Sequence, residues 1–142
     1  MICPNGCGRL QATQFVGVLV DVCLDCVGIW VGEAELEQVA AQPTQSWPQP
    51  AIDELVARIG KPGIGEHDHI PGVQCPTCAT DLTAQNYHDL SGIVVKTCPA
   101  KHGVWLEGGQ LGEIQIYTEY WAKVLADLKQ RYPENAEQSS AA

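Results

Sequence analysis

The sequence predicts a small α+β chain: one metal-stapled β-hairpin unit used twice, short helices, and a C-terminal amphipathic helix. Three observations carry this. Shifting the 142-residue chain by 75 aligns Gly17 with Gly92, Val20 with Val95, Cys23 with Cys98, Gly28 with Gly103, Trp30 with Trp105 and Leu36 with Leu111, without a gap. Cysteines and one histidine cluster in close pairs, one pair opening each copy and a second following its candidate strands. Ile114, Tyr117, Trp121, Val124, Leu125, Leu128 and Tyr132 recur at helical spacing.

The first unit is assigned to residues 1–42. Cys3-Pro4 opens it and matches Cys75-Pro76 at a shift of 72, so the second unit has the longer loop. Val16–Val22 and, in the second unit, Ile93–Thr97 are rich in β-branched residues and read as strands, with Gly17 and Gly92 at the turns. Residues Glu33 to Ala40 read as a short helix: Leu36, Val39 and Ala40 have helical spacing, and the acids lie early, where the helix dipole favours them. Residues 43–72 are assigned as a linker. Its Pro43–Pro50 stretch is read as unable to continue a helix or sheet, with Trp47 pinning it. Ile52, Leu55, Val56 and Ile59 mark one short amphipathic helix, and Lys61–Gly72 reads as a Gly/Pro loop. The second unit covers 73–114, the closing helix 115–133, ended by Pro133, and a disordered tail 134–142.

The ligand spacing points to metal. The first set is Cys3-x3-Cys7, fifteen residues, then Cys23-x2-Cys26; the second is Cys75-x2-Cys78, nineteen residues, then Cys98-x3-His102. Zinc takes four tetrahedral N/S ligands, and a gap of two or three residues lets one tight turn present two of them. A unit of this size buries too little surface to fold alone, so a structural metal is the expected staple. Seven cysteines cannot all close into intramolecular disulfides, and no leader precedes Cys3, so reducing cytoplasm is the expected compartment. His102 is preferred as the eighth ligand, although the shift of 75 places Lys101, not His102, at the position of Cys26. His67, His69 and a three-cysteine site open to water remain rivals. His88, midway along the hairpin, is expected far from the ligands. Trp30 and Trp105 are expected to cover the metal sites.

The opening Cys-Pro, the hairpin, the second pair, Gly28-Ile29-Trp30 and the short Leu-containing helix resemble the bacterial transcription-factor zinc-finger family, a zinc ribbon of the transcription factor IIB type. The resemblance covers residues 3–39 and 75–114 and implies two tandem ribbons with one zinc each. The family has two-residue gaps throughout; Cys3–Cys7 and Cys98–His102 depart by one residue.

Function is bounded mainly by exclusion. The chain has eight Lys+Arg against seventeen Asp+Glu, a net charge of −9, which argues against gripping phosphates. Four thiolates on a zinc ion leave that site at about −2, and three leave the other at about −1. No apolar run spans a membrane. Metalloprotease, nucleophile-elbow and phosphate-loop motifs are missing, and Glu66-His67-Asp68-His69 lacks the His-x-Glu of a zinc deaminase. The expectation is a noncatalytic protein-interaction or adaptor module, with a protein partner and a possible oligomer through the C-terminal helix. A rubredoxin-like iron carrier and a nucleic-acid-binding ribbon are the alternatives. The closing stripe either packs across both units and the Ile52–Ile59 helix or docks onto a partner or a second copy.

Overall fold

The structure, a computed structural model, describes residues 1–41, 47–59, 69–88 and 91–133. Among these residues the chain forms β1 (Gln11–Phe15), β2 (Val18–Val22), β3 (Ile29–Val31), α1 (Glu33–Ala40), α2 (Gln49–Arg58), β4 (His69–Gln74), β5 (Asp81–Asn86), β6 (Val94–Thr97), β7 (Val104–Leu106) and α3 (Gln110–Arg131). All seven strands join one antiparallel sheet in the order β1-β2-β3-β7-β6-β5-β4. The class is therefore α+β, as the sequence predicts, but the two units share a sheet.

The seam between the units is the pairing of β3 with β7. Ile29 faces Leu106, Trp30 faces Trp105 and Val31 faces Val104. Under the 75-residue shift this register is self-complementary. A pseudo-twofold axis therefore passes through the two tryptophans. The period of two then sorts the side chains. Trp30 and Trp105 join Cys3, Cys23, Cys75, Cys98 and Leu82 in one buried cluster. Ile29, Val31, Val104 and Leu106 pack into the other, larger cluster with Leu36, Val39, Leu55, Ile114 and Tyr117 of the helices. One face of the sheet thus carries the cysteines and the other carries α1, α2 and α3.

Two glycines make the seam possible. A Cβ on Gly28 would drive into the indole of Trp105, and a Cβ on Gly103 would lie 2.8 Å from Cε2 of Trp30. Each Gly-x-Trp thus leaves room for the tryptophan of the opposite unit. Trp105 is 0% exposed and Trp30 4%, and truncating a side chain of this kind in a core costs about 3–5 kcal/mol.

The hairpins differ as the loop lengths require. β1 and β2 are joined by Val16 and Gly17 at φ 51° and 80°, a two-residue turn with both residues left-handed. β5 and β6 are joined by residues 87–93, with Gly92 at φ 79°. A Cβ on Gly92 would sit 2.6 Å from the Arg58 carbonyl oxygen, so the end of α2 lies directly on this turn.

Three readings of the sequence are corrected, and the Gly-x-Trp segments are added as strands. The proline-rich stretch does not stop short of helix: Pro48 is the N-cap of α2, and Pro50 sits in its first turn, where a missing N–H removes no helical bond. Residues 69–74 form β4, an edge strand. Its pairing with β5 is irregular between His69 and Gln74, and such an edge tolerates Pro71. The Gly-x-Trp segments are themselves strands. α3 begins at Gln110, ahead of the expected start, pinned by Gln110 Nε2 donating to the Val94 carbonyl at 2.7 Å and by the Glu107 amide donating to Gln110 Oε1 at 2.9 Å.

The closing stripe divides. Ile114, Ile116 and Tyr117 are buried, whereas Leu125, Leu128 and Tyr132 are 50%, 44% and 55% exposed and Trp121 is 37% exposed. An Arg58–Glu113 ion pair ties α2 to α3, and Gln115 Nε2 reaches the Val39 carbonyl of α1 at 3.5 Å. Trp47 packs against the core, with its ring against Gly112 of α3, while residues 43–46 of the expected linker lie outside the described residues. The expected tail at 134–142 and the loop at 61–68 lie outside the described residues.

Candidate metal centres

Each ligand pair sits on a six-residue loop closed by the same hydrogen bond. The amide of the first ligand donates to the carbonyl five residues on: Cys3 to Gly8 (2.7 Å), Cys23 to Gly28 (3.0 Å), Cys75 to Thr80 (2.9 Å) and Cys98 to Gly103 (3.2 Å). Each loop turns at a left-handed residue, Gly6, Val27, Ala79 or Lys101, at φ 81°, 62°, 59° and 62°, and the first loop also closes on Gly8 at φ 153°. In the Cys-x2-Cys loops this residue follows the second ligand, and its amide donates to the first ligand's carbonyl, Val27 to Cys23 at 2.9 Å and Ala79 to Cys75 at 2.8 Å. In the x3 loops it precedes the second ligand, with Gly6 donating to Cys3 at 2.8 Å and Lys101 to Cys98 at 2.9 Å. The extra residue in the gap therefore does not lengthen the loop. It moves the second ligand to the other side of the left-handed turn. This is why Lys101 aligns with Cys26 while His102 provides the ligand atom.

The loops bring together two sets, Cys3, Cys7, Cys23 and Cys26, and Cys75, Cys78, Cys98 and His102, with ligand atoms within 4.8 Å of one another in each. The edges fit zinc. A tetrahedron with Zn–S near 2.3 Å has S···S edges of about 3.8 Å, and replacing one sulfur by imidazole nitrogen shortens its edges to about 3.5 Å. Cys3 Sγ lies 3.8 Å from Cys26 Sγ, and Cys78 Sγ lies 3.6 Å from Cys98 Sγ. His102 Nδ1 lies 3.4 Å from Cys98 Sγ and 3.8 Å from Cys75 Sγ.

The thiols are not alike. Burial pushes Cys3 and Cys75 up. Loss of hydration, then the crowding of Cys26, Cys3 and Cys23, pushes Cys7 up to about 12. The Cys26 amide, 3.5 Å from Cys23 Sγ, leads in bringing Cys23 down to about 7, and the Thr80 hydroxyl, 3.4 Å from Cys78 Sγ, leads in bringing Cys78 down to about 6. Cys23 is thus ready to ionise beside Cys3 and Cys7, which resist, and Cys78 is ready to ionise beside Cys75, which resists. Gathering all the thiolates requires a cation at the centre.

Of the other histidines, His88 lies on the turn after β5, stacked on Tyr87 at 4.1 Å, with Nε2 3.1 Å from Glu37 Oε1; it belongs to neither metal set. His67 and the side chain of His69 lie outside the described residues. Trp30 and Trp105 pack beside the cysteines of both sites, so each serves the seam as well as its own unit.

Asn5 and Glu107 are the residues that sequence reasoning missed. Asn5 Nδ2 lies 3.9 Å from Cys26 Sγ and donates to Glu107 Oε2 at 3.0 Å. Glu107 Oε1 also accepts from Lys96 Nζ at 2.5 Å and from Trp105 Nε1 at 3.1 Å. Burial alone would raise the Glu107 carboxyl, but the bonds from Lys96, Asn5 and Trp105 outweigh it and hold the group below the usual carboxylate range. This outer contact crosses the seam, from the second unit to the first metal site. No spacing in the sequence signals it, because it joins positions 102 residues apart.

Comparison with known proteins agrees with the first site. The family described as transcription factor zinc-finger, of the transcription factor IIB zinc-ribbon type, matches residues 2–42. No curated protein and no solved structure matches the chain. No helix among the described residues is long and apolar enough to cross a membrane. Residues 2–42 are thus similar to a zinc ribbon, and the chain has two Cys/His centres whose donor sets and edges fit two zinc ions.

Proposed function

We propose that the protein is a noncatalytic, cytoplasmic zinc-binding adaptor. In this reading residues 75–114 are a second tandem zinc ribbon, and the metals hold a rigid double-ribbon scaffold. Each donor set has four members, which completes a tetrahedron and suits a structural role. The carrying observation is the second half of α3. There Trp121, Leu125, Leu128 and Tyr132 extend as an exposed apolar stripe beyond the part of the helix that is buried in the core. Apolar patches of this kind mark interaction sites. The acidic balance, with a net charge of −9, disfavours nucleic acid as the partner.

The test uses the zinc-loaded full chain beside a Leu125→Glu, Leu128→Glu variant in crosslinking and pulldown from cytoplasmic extract. The expected result is one enriched protein partner, lost in the variant, with about two zinc ions per chain retained in both. Tight, steeply salt-dependent retention of DNA or RNA supports the nucleic-acid alternative instead. A red colour with iron in place of zinc supports the electron-carrier alternative.

A further inference from the structure

The pseudo-twofold axis provides an internal control, because it places each residue beside its counterpart in the other unit. In one position the cluster is closed. Glu107 fills it, bonded to Lys96, Asn5 and the Trp105 indole N–H. The counterparts are Gly32 for Glu107, Asp21 for Lys96, Thr77 for Asn5 and Trp30 for Trp105. They do not form a closed cluster. They line a cavity of about 570 Å³ together with Glu35, Gln38, Met1 and His102 of the second metal set.

Two features of this cavity ask for a ligand. The first is charge. Asp21 stands opposite Trp30 in the β2–β3 register, as Lys96 stands opposite Trp105 in β6–β7. In the closed cluster Lys96 is matched by a carboxylate carried on the neighbouring strand end. Here the charge is reversed, and Gly32 supplies no side chain to match it. The Glu35 carboxylate folds against Gly32 and adds a second negative group. Among the described residues neither Asp21 nor Glu35 has an ion-pair partner. The second feature is a donor. Trp30 is 4% exposed, and its indole N–H has no acceptor among the described residues, whereas that of Trp105 donates to Glu107 at 3.1 Å. The two rings turn the same edge, Cε2 and Cζ2, toward the opposite unit's glycine, and Trp30 lines the cavity beside Gly32, as the pseudo-twofold relation to Trp105 and Glu107 requires.

We infer that this cavity receives an arginine or lysine side chain of a partner polypeptide, its cation held by Asp21 and Glu35 and a carbonyl of the same segment accepting from Trp30 Nε1. The ligand completes in trans the cluster that Glu107 completes in cis, with the sign of charge inverted. A peptide supplies a cation for Asp21 and Glu35, which have no ion-pair partner among the described residues, and a carbonyl to accept from the indole N–H. Charge-assisted bonds of this kind are the stronger class, and arginine can make two of them to one carboxylate. The inference deepens the adaptor reading by giving the partner a chemistry.

The experiment titrates the zinc-loaded full chain with N-acetyl-arginine N-methylamide and follows the indole N–H signals by NMR. The expected result is a saturable shift of the Trp30 signal with that of Trp105 unmoved. The citrulline analogue, of the same shape without the charge, should leave Trp30 unmoved. Gly32→Arg fills the cavity from within and should abolish the response. Gly32 has φ −67°, open to any residue, and only the flexible Glu35 carboxylate stands in the way. Asp21→Asn should weaken binding about tenfold through loss of one charged partner. Retention of both zinc ions and of the Trp105 signal shows that each variant is folded. An equal response to citrulline, no saturable shift, or undiminished binding in both variants overturns the assignment. Guanidinium ion binding as tightly as the peptide analogue overturns the peptide as ligand. Failure of the arginine probe, with a partner still captured through the α3 stripe, sinks this cavity and leaves the adaptor reading standing. A saturated cavity with no partner captured by the stripe does the reverse.

Discussion

The two halves of the sheet are built to one plan and finished differently. Each has two six-residue loops closed by the same amide-to-carbonyl bond, a hairpin, and a Gly-x-Trp strand that meets its counterpart at the seam. The first half is compact, with a two-residue turn and four cysteines at its metal site. The second has a seven-residue connection, an added edge strand and a histidine as fourth ligand. The lesson is about what a metal loop requires. The backbone closure is kept in all four loops, while the ligand's place relative to the left-handed residue and its chemical type both vary. The same contrast appears at the seam, where Glu107 seals one side and Gly32 leaves its counterpart open.

The largest effect should come from removing metal. Structural zinc contributes on the order of 10 kcal/mol in small sites. Stripping both ions should therefore abolish cooperative unfolding, which calorimetry with and without chelator checks. His102→Ala separates the halves: elemental analysis against a chelator series should show the second zinc leaving at milder concentration and the first unchanged. Equal loosening of both sites would mean that the seam, not the ligand set, governs retention.

A smaller effect should follow from closing the seam's clearances. Gly28→Ala places a methyl group in the Trp105 ring, and Gly103→Ala places one 2.8 Å from Trp30. Each should cost about 1–3 kcal/mol by overpacking, with Gly28→Ala the worse because its approach is closer. Denaturant midpoints of both variants test the order.

Glu107 tests the asymmetry of the outer contacts. Glu107→Ala leaves Lys96, Asn5 and the Trp105 N–H without their shared acceptor and should cost about 2 kcal/mol. The carboxyl is held below its usual range in the folded chain. Its contribution is thus full above the unfolded carboxylate pKa and fades as pH falls through that range toward the lowered folded value. The stability difference between wild type and variant should shrink over the same window, while Asp21→Ala shows no matching loss at neutral pH.

The smallest effect is a gain. Val27 is β-branched and left-handed at φ 62°, a conformation that costs such a residue about 1–2 kcal/mol. It is also 63% exposed. Val27→Gly should stabilise the first unit by about 1 kcal/mol, seen as a higher denaturant midpoint. The equivalent change at Gly6, to valine, should destabilise by a similar amount.

Much of the site was legible in the chain because it is local. A ligand pair three or four residues apart on one tight loop is fixed by backbone geometry, and the repeat tells which pairs belong together. α1 was legible from end to end, since Glu33, Glu35, Leu36 and Val39 supply dipole, spacing and core face within eight residues. β4 was obscured by Pro71 and Gly72, which signal a loop to a reader who does not know that the segment lies at an edge. The start of α2 was hidden for a related reason, because proline reads as a breaker until its place in the first turn is known.

What the sequence determined by itself was the division of the seven cysteines between two metal sets, the repeated unit and the amphipathic helices, while the structure brought His102 into the second set. The features read from the chain rest on residues close in it or on a repeat visible by alignment. The tertiary structure alone decided that the units share one sheet, that Gly28 and Gly103 are clearances for the opposite tryptophans, and that Glu107 closes one cluster while Gly32 leaves the other open. It also decided where the stripe of α3 leaves the core. The physical reason is that these features depend on which strand edges pair. A short Ile-Trp-Val or Val-Trp-Leu strand has backbone groups free on both edges, and only the packing of two such strands around their tryptophans selects the partner.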